Sequence, residues 1–325
     1  MKTQLRKLSN AVLKQDESGV FLSIVGIVVI TQIFRNDYIN IENFKTIFAQ
    51  VSFVGIVALG CSIPLMAGNI DISTGRTAGL AGIVMASLVV NSGWSAAPAI
   101  IFGLIAVIIV GALNGFLVVY CKVNDFIATM GTLYMVGGAR YFFVKGHQLS
   151  FARVPNFTLH LIFQNRYFGM PIYFWIMLVL VILVTIVIKK TVFGRRLLMT
   201  GDNSEVAQLA GINVNHMRFI AYIICAVFAG IAGMLVTLSL GLGLPENGDG
   251  WEFRAIAGTV VGGTSLMGGK SSPIGTFLGV SLMFIAENAF VFLGLPGTMR
   301  IGVQGFLMAL AVLVDLRRQR RKIPA

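Results

Sequence analysis

Long apolar stretches separated by short polar segments define the predicted elements of this chain. A membrane-spanning helix needs about 20 mostly apolar residues, and ten stretches approach that length. They lie at Gly19 to Phe34, Phe44 to Met66, Gly75 to Val90, Pro98 to Cys121, Phe126 to Val144, Ile172 to Ile188, Phe219 to Leu240, Phe253 to Met267, Ile274 to Leu293 and Met299 to Leu316. The pattern therefore predicts an all-α fold: one polytopic membrane helix bundle of about ten transmembrane helices over residues 1–325.

Composition supports a membrane protein and excludes several other classes. The chain is 56% hydrophobic and 12% charged, whereas soluble domains carry about 25% charged residues. The net charge of +12 does not indicate nucleic-acid binding, because the basic residues cluster at the ends of apolar stretches. Cys61, Cys121 and Cys225 lack the spacing of metal ligands or of a disulfide framework. We therefore expect neither a metal nor another cofactor.

Basic residues also predict the orientation in the membrane. With ten crossings, 17 of the 25 Lys and Arg residues fall on the side that carries both termini and the 189–218 connection. Positive residues favour the cytoplasm. The N-terminal tail 1–18, the 189–218 loop and the C-terminal tail 317–325 are therefore predicted to be cytoplasmic, in a bacterial inner membrane.

Two glycine pairs suggest an internal repeat. Gly111 and Gly115 lie in the third span of spans two to five, and Gly275 and Gly279 lie in the third span of spans seven to ten. The two groups start on opposite sides of the membrane, so they would form an inverted repeat, a common transporter plan. Small residues at this spacing also occur wherever membrane helices pack closely, so both explanations stay open.

The 189–218 loop contains a predicted surface helix from Asn203 to Leu209. Asn203 can cap its free N–H groups, Glu205 suits the positive end of the helix dipole, and Gly211 can end the helix. A simple solvated connector is the alternative, but about 30 glycine-punctuated residues exceed what a connector needs. The loop is therefore interpreted as a docking element for a cytoplasmic partner.

Motifs along nearly the whole chain resemble those of one transporter family. They are Asn69-Ile-Asp71-Ile-Ser73-Thr-Gly75, Asn114-Gly115, Phe126-Ile-Ala-Thr-x-Gly131-Thr132, Phe193-Gly194-Arg195, Gly201-x-Asn203, Ala207, Gly211-Ile212, Glu252-x-x-Ala-Ile-Ala257, Gly262-Gly263-Thr264-Ser265-Leu266-x-Gly268-Gly269, Gly275-Thr-x-x-Gly279 and Asn288. In this order they are similar to the permease subunits of sugar-importing ABC transporters of the ribose, xylose and galactose type.

The resemblance implies a function and a set of partners. The chain would be the membrane subunit of an ATP-driven importer for a monosaccharide or a similar small polyol. It would work with a cytoplasmic ATPase, an extracytoplasmic sugar-binding protein and a second permease copy in the lipid bilayer. Contacts to the ATPase would involve the coupling-loop residues Gly194, Arg195, Gly201, Asn203, Ala207 and Gly211. Pathway or gating roles would fall to Asp71, Ser73, Asn114, Glu252, Glu287 and Asn288.

Two of the acidic sites keep both a structural and a functional interpretation. Asp71 lies in a Gly-bounded break between spans, where it could cap a helix, pair with Arg76, or hold the break that lets a pathway open. We favour a structural and gating role over contact with the substrate. Glu287 and Asn288 lie in the middle of span nine, where a pathway role and helix packing are equally good explanations.

Enzymatic activity is not expected in this chain. The segment Gly263 to Ser271 imitates a phosphate-binding loop, but Thr264 stands where that loop requires glycine, and no buried strand precedes it. ATP hydrolysis would therefore come from another polypeptide. An ion-coupled secondary transporter remains an alternative class, and a nucleoside or a furanose signalling molecule remains an alternative cargo.

Three positions depart from the family pattern. Arg76 replaces a small residue, Arg254 occupies a usually acidic place, and Lys270-Ser271 stands where Arg-Gly is usual. Two Arg76 side chains near a dimer axis would repel each other unless an acid neutralises them. A homodimer with Arg76 folded onto Asp71 and a heterodimer with a different permease are therefore both open.

Overall fold

The protein is described here by a computed structural model covering residues 16–144, 148–155 and 157–296, with Gly302, Gly305 and Ala309 in addition. Nearly all of the N-terminal tail 1–18, nearly all of the tenth predicted span and the C-terminal tail 317–325 lie outside these described residues.

Helices make up most of the described chain, in the order that the hydrophobic pattern predicts. They are α1 (Asp16–Phe34), α2 (Ile41–Met66), α3 (Thr74–Ser92), α4 (Ala96–Gly115, continued by a π-helix at Phe116–Tyr120), α5 (Asp125–Val144), α6 (Leu159–Gln164), α7 (Ile172–Lys190), α8 (Val192–Asp202), α9 (Ser204–Leu209), α10 (Val214–Leu240), α11 (Trp251–Val261) and α12 (Pro273–Phe292). A 3₁₀ turn occupies Phe151–Arg153.

Four two-residue strands form two small antiparallel pairs. β1 (Leu149–Ser150) pairs with β4 (Leu242–Gly243), with Leu149 opposite Gly243. β2 (Arg166–Tyr167) and β3 (Met170–Pro171) form a hairpin. The pairs connect segments at one end of the bundle, so the predicted all-α class still describes the architecture.

Six helices among the described residues are long and apolar enough to cross a membrane: Glu17–Phe34, Ile41–Met66, Ala96–Tyr120, Ile172–Lys190, Val214–Leu240 and Pro273–Phe292. This agrees with a polytopic helical membrane protein. The helices α3 and α5 match the third and fifth predicted spans in position, although they are not among these six. The count of ten crossings stays a prediction.

The eighth predicted span, Phe253 to Met267, is wrong as a single helix. Its helix α11 has 11 residues and ends at Val261, so it is about 16 Å long, against a hydrocarbon core of about 30 Å. Gly262 and Gly263 end it, with Gly263 at a φ of +98°. An ideal Cβ on Gly262 would overlap the Gly275 carbonyl on α12, so the chain turns where the two helices touch.

The chain before α11 runs beside α3 instead of forming a helix. Gly243 lies against Ala86, and an ideal Cβ on Gly248 would overlap the carbonyl of Gly75. Over this stretch the segment therefore follows α3 back toward its first turn. Of the predicted span Phe253 to Met267, only the part up to Val261 is helical, and residues 262–267 are irregular.

The two ends of the bundle differ in what they carry. At one end, called here the α9 end, the last residue of α2 lies beside α8, α9 and the 263–272 loop, and Gly269 N donates to Met66 O over 3.1 Å. At the far end lie the β1–β4 pair, the β2–β3 hairpin, α6 and the last turn of α10. The helices α2 and α10 run between the two ends and contact each other.

Packing around α2 and α10 is reciprocal. The helices α3 and α4 pack on α10, whereas α11 and α12 pack on α2. Close approach depends on glycine: an ideal Cβ on Gly111 would lie 2.8 Å from the Tyr222 carbonyl oxygen on α10. Similarly, one on Gly279 would overlap the Gly258 carbonyl on α11. The predicted glycine pairs are therefore helix-packing positions.

Candidate functional site

Two breaks in the helices lie close together inside the bundle. Break A is residues 67–73, between α2 and α3, and break B is residues 241–250, between α10 and α11. Break B contacts Gly75 in the first turn of α3, two residues after break A, and this contact is called here the meeting point of the two breaks. Around their meeting point lies a group of polar side chains that we call the polar junction: Asp71, Ser73, Arg76, Asn114, Arg140, Asp249 and Glu252. Of these, Asp71, Ser73, Asn114, Arg140 and Glu252 are buried.

Asp71 holds break A in place through hydrogen bonds. Its Oδ1 accepts from the Ser73 backbone N at 2.9 Å and from Ser73 Oγ at 2.7 Å. Asn114 Nδ2 on α4 donates to Ser73 Oγ at 2.9 Å and lies 3.4 Å from Asp71 Oδ1. The carboxylate therefore satisfies backbone that has left helical geometry and ties it to α4. Asp71, Ser73 and Asn114 come together as one cluster.

Arg76 does not fold onto Asp71 as one sequence interpretation allowed. Its Nε lies 3.7 Å from Asp249 Oδ1 in break B, its NH1 donates to Leu133 O at 3.4 Å, and its guanidinium carbon lies 5.0 Å from the ring centre of Tyr134. The charge of Arg76 is thus met by an acid of the same chain. The repulsion expected between two Arg76 side chains assumed that no acid neutralises them, and Asp249 of the same chain lies close enough to do so.

Arg140 forms the tightest ion pair of the junction. Its side chain is 1% exposed, and its NH2 lies 2.6 Å from Asp249 Oδ1. Its NH1 donates to the Asn247 carbonyl at 3.1 Å. One carboxylate in break B therefore lies between guanidinium groups from α3 and α5, and it joins these helices to the break.

Glycine lets break B approach the first turns of α3. An ideal Cβ on Gly75 would overlap Glu252 Oε2 and the Gly248 carbonyl, and one on Gly79 would overlap Asn247 O and Arg140 NH1. Glu252, in the first turn of α11, is buried, and its Oε2 has no hydrogen-bond partner among the described residues. Its formal charge and that of Asp249 balance those of Arg76 and Arg140.

Glu287 and Asn288 lie elsewhere, at the contact between α12 and α2. Glu287 Oε2 lies 3.4 Å from Arg254 NH2, and Asn288 Nδ2 donates to Asn43 Oδ1 at 3.0 Å. Both residues line a cavity of about 110 Å³ whose α2 wall includes Thr46 and Gln50. The six predicted pathway residues therefore form two groups, four in the polar junction and two beside this cavity.

Sequence reasoning missed Arg140 and Asp249. Arg140 is a charged residue inside an otherwise apolar span, which is by itself a signal for a functional or paired site. Asp249 lies in a Gly-rich segment that was interpreted only as a connection. Its partners come from α3 and α5, so no local spacing pointed to them.

The predicted surface helix is present as α9. Asn203 caps it, because its Oδ1 accepts from Glu205 N at 3.0 Å and from Val206 N at 3.1 Å. Gly211, at a φ of +78°, follows the end of the helix. The loop also forms a second helix, α8, which the sequence did not predict.

Gly194 and Gly201 serve close packing inside the chain. An ideal Cβ on Gly194 would overlap the Ile188 carbonyl at the end of α7, and one on Gly201 would overlap the Met66 carbonyl at the end of α2. Gly201 also contacts Gly268, where the distance from an ideal Cβ of Gly268 to Gly201 Cα is 2.8 Å. The end of α8 is therefore wedged between α2 and the 263–272 loop.

Ala207 does not lie on an outward contact face. It is fully buried among Ile63, Leu197, Ile212 and other apolar residues of its own bundle. The outward faces of this end carry Arg195 and a group of exposed apolar side chains. That group, called here the apolar patch, is Met199 (41% exposed), Val206 (53%), Leu209 (90%) and Met267 (68%).

Comparison with known proteins gives consistent relatives. Residues 43–312 match the family described as branched-chain amino acid transport system / permease component. The ribose import permease protein RbsC of Escherichia coli K12 is 30% identical over 307 residues, covering 93% of this chain and 94% of that protein.

Two further relatives also match nearly the whole of this chain. RbsC of Bacillus subtilis is 29% identical over 300 residues, 92% of each chain. The autoinducer 2 import system permease protein LsrC of Yersinia enterocolitica is 29% identical, covering 92% of this chain and 81% of that protein. No solved structure matches the chain.

Proposed function

Because this chain belongs to the permease-component family of the branched-chain amino acid transport systems, we propose that it forms the pathway for a monosaccharide or similar small polyol in a binding-protein-dependent importer. The chain is a transport subunit of an ABC importer, and the ATPase activity lies in a separate subunit. It is a multi-pass protein of the bacterial inner membrane. Its family associates with an ATPase and a substrate-binding protein.

The observation that carries the proposal is the meeting of two broken helices at the polar junction, where three acids face two arginines. Membrane transporters commonly place their pathway where discontinuous helices of two repeats meet. Here α2, break A, α3 and α4 correspond to α10, break B, α11 and α12, and each group packs on the long helix of the other. This reciprocity supports the inverted repeat.

Roles for the predicted pathway residues follow from their contacts. Asp71, Ser73 and Asn114 fix break A and act as a structural element of the gate. Glu252 lies where the two breaks touch. Glu287 and Asn288 belong to a polar face that also includes Thr46 and Gln50 of α2. Polar side chains at membrane depth are costly against lipid, so we assign this face to the pathway, covered by a second permease copy.

The α9 end is proposed to face the cytoplasm with both termini, as the distribution of Lys and Arg predicts. The apolar patch would then dock in a groove of the ATPase. A movement of the ATPase would then reach the membrane helices through Ala207 and Gly201, since both residues pack against those helices. Reporter proteins fused after Arg196 and within Phe151–Arg166 should report cytoplasm and outside, respectively; the reverse result contradicts this orientation.

The proposal is tested with purified complexes of this chain, its ATPase and its binding protein in proteoliposomes. Radiolabelled D-ribose, D-xylose and D-galactose should be compared with leucine, and uptake of at least one sugar should require both ATP and the binding protein. Uptake driven by a proton or sodium gradient without ATP would identify a secondary transporter instead. Transport with this chain as the sole permease would contradict a heterodimer with a different permease.

A second candidate cargo comes from the relatives. LsrC proteins of Yersinia, named for autoinducer 2 import, match this chain over 92% of its length. Autoinducer 2 therefore belongs in the same uptake experiment. Selective uptake of autoinducer 2 over the three sugars would replace the monosaccharide proposal.

A further inference from the structure

A second, larger cavity opens at the far end of the bundle. It has a volume of about 440 Å³ and lies between α2, α6, α7 and the end of α10. Its size is within the range of about 300 to 1,000 Å³ that is typical of small-molecule sites. None of the predicted site residues lines it. We call it the vestibule.

Neutral polar side chains line part of the vestibule wall. Thr46 and Gln50 come from α2, Gln164 from the end of α6, and Ser239 from the last turn of α10. Hydroxyl and amide groups both donate and accept hydrogen bonds. A polyhydroxylated molecule needs partners that can both donate and accept hydrogen bonds, since each of its hydroxyl groups can do both.

The charged residues at the vestibule are already paired. Lys45 Nζ lies 2.6 Å from Glu42 Oε1, and Arg166 NH1 lies 2.9 Å from Glu42 Oε2. One carboxylate therefore binds both cations that line the cavity. An anionic ligand would have to compete with Glu42 for these two cations, whereas a neutral ligand would leave both ion pairs in place.

The floor of the vestibule is aromatic and leads to the polar junction. Phe53 and Tyr173 line the cavity with ring centres 4.5 Å apart. Phe53 also stacks on Trp251, at 6.0 Å between ring centres and an interplanar angle of 11°. Trp251 is the first residue of α11 and directly precedes Glu252. A series of three contacting rings thus runs from the vestibule to the residue before Glu252.

We propose that the vestibule receives a neutral polyhydroxylated molecule, and that the rings of Phe53, Tyr173 and Trp251 are the closed floor through which it passes to the polar junction. This inference rests on the proposed function and adds the place where cargo first binds the permease. The aromatic rings offer apolar faces to the C–H surface of a sugar ring, while the wall binds its hydroxyl groups.

Cysteine labelling tests whether sugar occupies the vestibule. Cys121 is exposed while Cys61 and Cys225 are buried, so Cys121→Ser gives the background. Ser239→Cys is then labelled with a membrane-impermeant maleimide in the complete complex, with the binding protein empty or loaded with a sugar that the complex takes up. We expect the loaded protein to slow labelling by about threefold or more, as occupancy excludes the reagent.

The matched control is Asn91→Cys in the same background. Asn91 lies in the last turn of α3, is exposed, and does not line the vestibule. Its labelling should be the same with empty and loaded binding protein. Equal labelling of Ser239→Cys in the two conditions, or equal slowing of both variants, overturns the inference.

A kinetic variant gives an independent measurement. Gln164 is exposed and lines the vestibule but not the smaller cavity beside Glu287, so Gln164→Leu should fold normally. It should raise the KM for sugar about tenfold with little change in the maximal rate, the size expected for one lost hydrogen bond. An unchanged KM overturns the inference. The failure of this inference can be distinguished from the failure of the proposed function. If the wild-type complex takes up none of the three sugars, the proposed function fails; if it takes up a sugar but the variants give the contradicting results, only the vestibule inference fails.

Discussion

Break A and break B both interrupt the helical chain inside the bundle, but different interactions hold them in place. Break A is held by Asp71, which bonds to Ser73 two residues away and to Asn114 on the adjacent α4. Break B is held by Asp249, whose partners Arg76 and Arg140 come from two other helices.

Break A is also bonded to α5 and α10, since Ile70 N donates to Asp125 Oδ2 at 2.9 Å and the Tyr222 hydroxyl donates to Ile70 O at 3.2 Å. Break B instead depends on a carboxylate that is 43% exposed, and its ion pairs are lost when the helices that carry Arg76 and Arg140 move away. The comparison indicates that A is the fixed break and B the movable one.

The largest expected effect is that of Arg140→Met. It removes the buried guanidinium that bonds to the Asn247 carbonyl and to Asp249, whose side chain is 43% exposed, and losing two hydrogen bonds of a charged group should cost about 3 kcal/mol of stability. We expect a strong loss of folded protein in membranes, measured by thermal unfolding in detergent and by uptake. Asp249→Asn in the same chain should restore part of the stability. Wild-type stability of Arg140→Met would contradict the importance assigned to this pair.

A smaller loss is expected when the two breaks are pushed apart. Gly75→Ala places a methyl group where Glu252 Oε2 and the Gly248 carbonyl lie, and such overpacking costs about 1 to 3 kcal/mol. Uptake per complex should fall more than protein abundance does, because the contact between the breaks is changed. Gly131→Ala is the control, since an ideal Cβ there meets no atom within 4 Å. Equal effects of both variants would argue against the contact.

Asp71→Asn tests the fixed break directly. The amide keeps the shape but weakens the hydrogen bonds that Oδ1 accepts, so we expect a stability loss of about 1.5 kcal/mol. Protein that still folds should transport at nearly the wild-type rate. Thermal unfolding and uptake normalised to folded protein separate the two quantities. A large fall in normalised uptake would instead make break A part of the moving machinery.

The smallest effect is expected for Arg76→Gln. Its side chain is 27% exposed and lies 3.7 Å from Asp249, and such partly exposed pairs contribute about 0.2 to 1 kcal/mol. Uptake should change by less than about twofold. A complete loss of transport would show that Arg76 does more than neutralise Asp249, and it would reopen the question of what faces Arg76 across a dimer.

The sequence predicts the fold well where helices are continuous. Hydrophobic length placed α2, α4, α7, α10 and α12 within a few residues, because these helices are apolar along their full length. It failed over Phe253 to Met267, where an 11-residue helix follows an irregular segment. Hydropathy reports the environment of the side chains but not the backbone conformation, so it could not show that the backbone leaves the helix after Val261 at Gly262 and Gly263.

The candidate site was predictable in part, for a related reason. Asp71, Ser73 and Asn114 lie in motifs and do form one cluster. Asp249 gains its role from Arg76 and Arg140, which are more than 100 residues away in sequence. Ala207 was expected to contact the ATPase because of the family resemblance, but it is buried among apolar residues of its own chain, which a motif alone cannot show.

The apolar patch at the α9 end has a consequence for how the cell builds this transporter. Leu209 is 90% exposed and Val206 and Met267 are more than half exposed, at an end proposed to face the aqueous cytoplasm. Exposed apolar side chains of this kind are targets for chaperones and proteases. If the apolar patch docks on the ATPase, we expect binding to hide these side chains and a permease without its ATPase to be degraded. The amount of permease in the membrane is therefore expected to follow the supply of ATPase, so that unpaired channels do not accumulate.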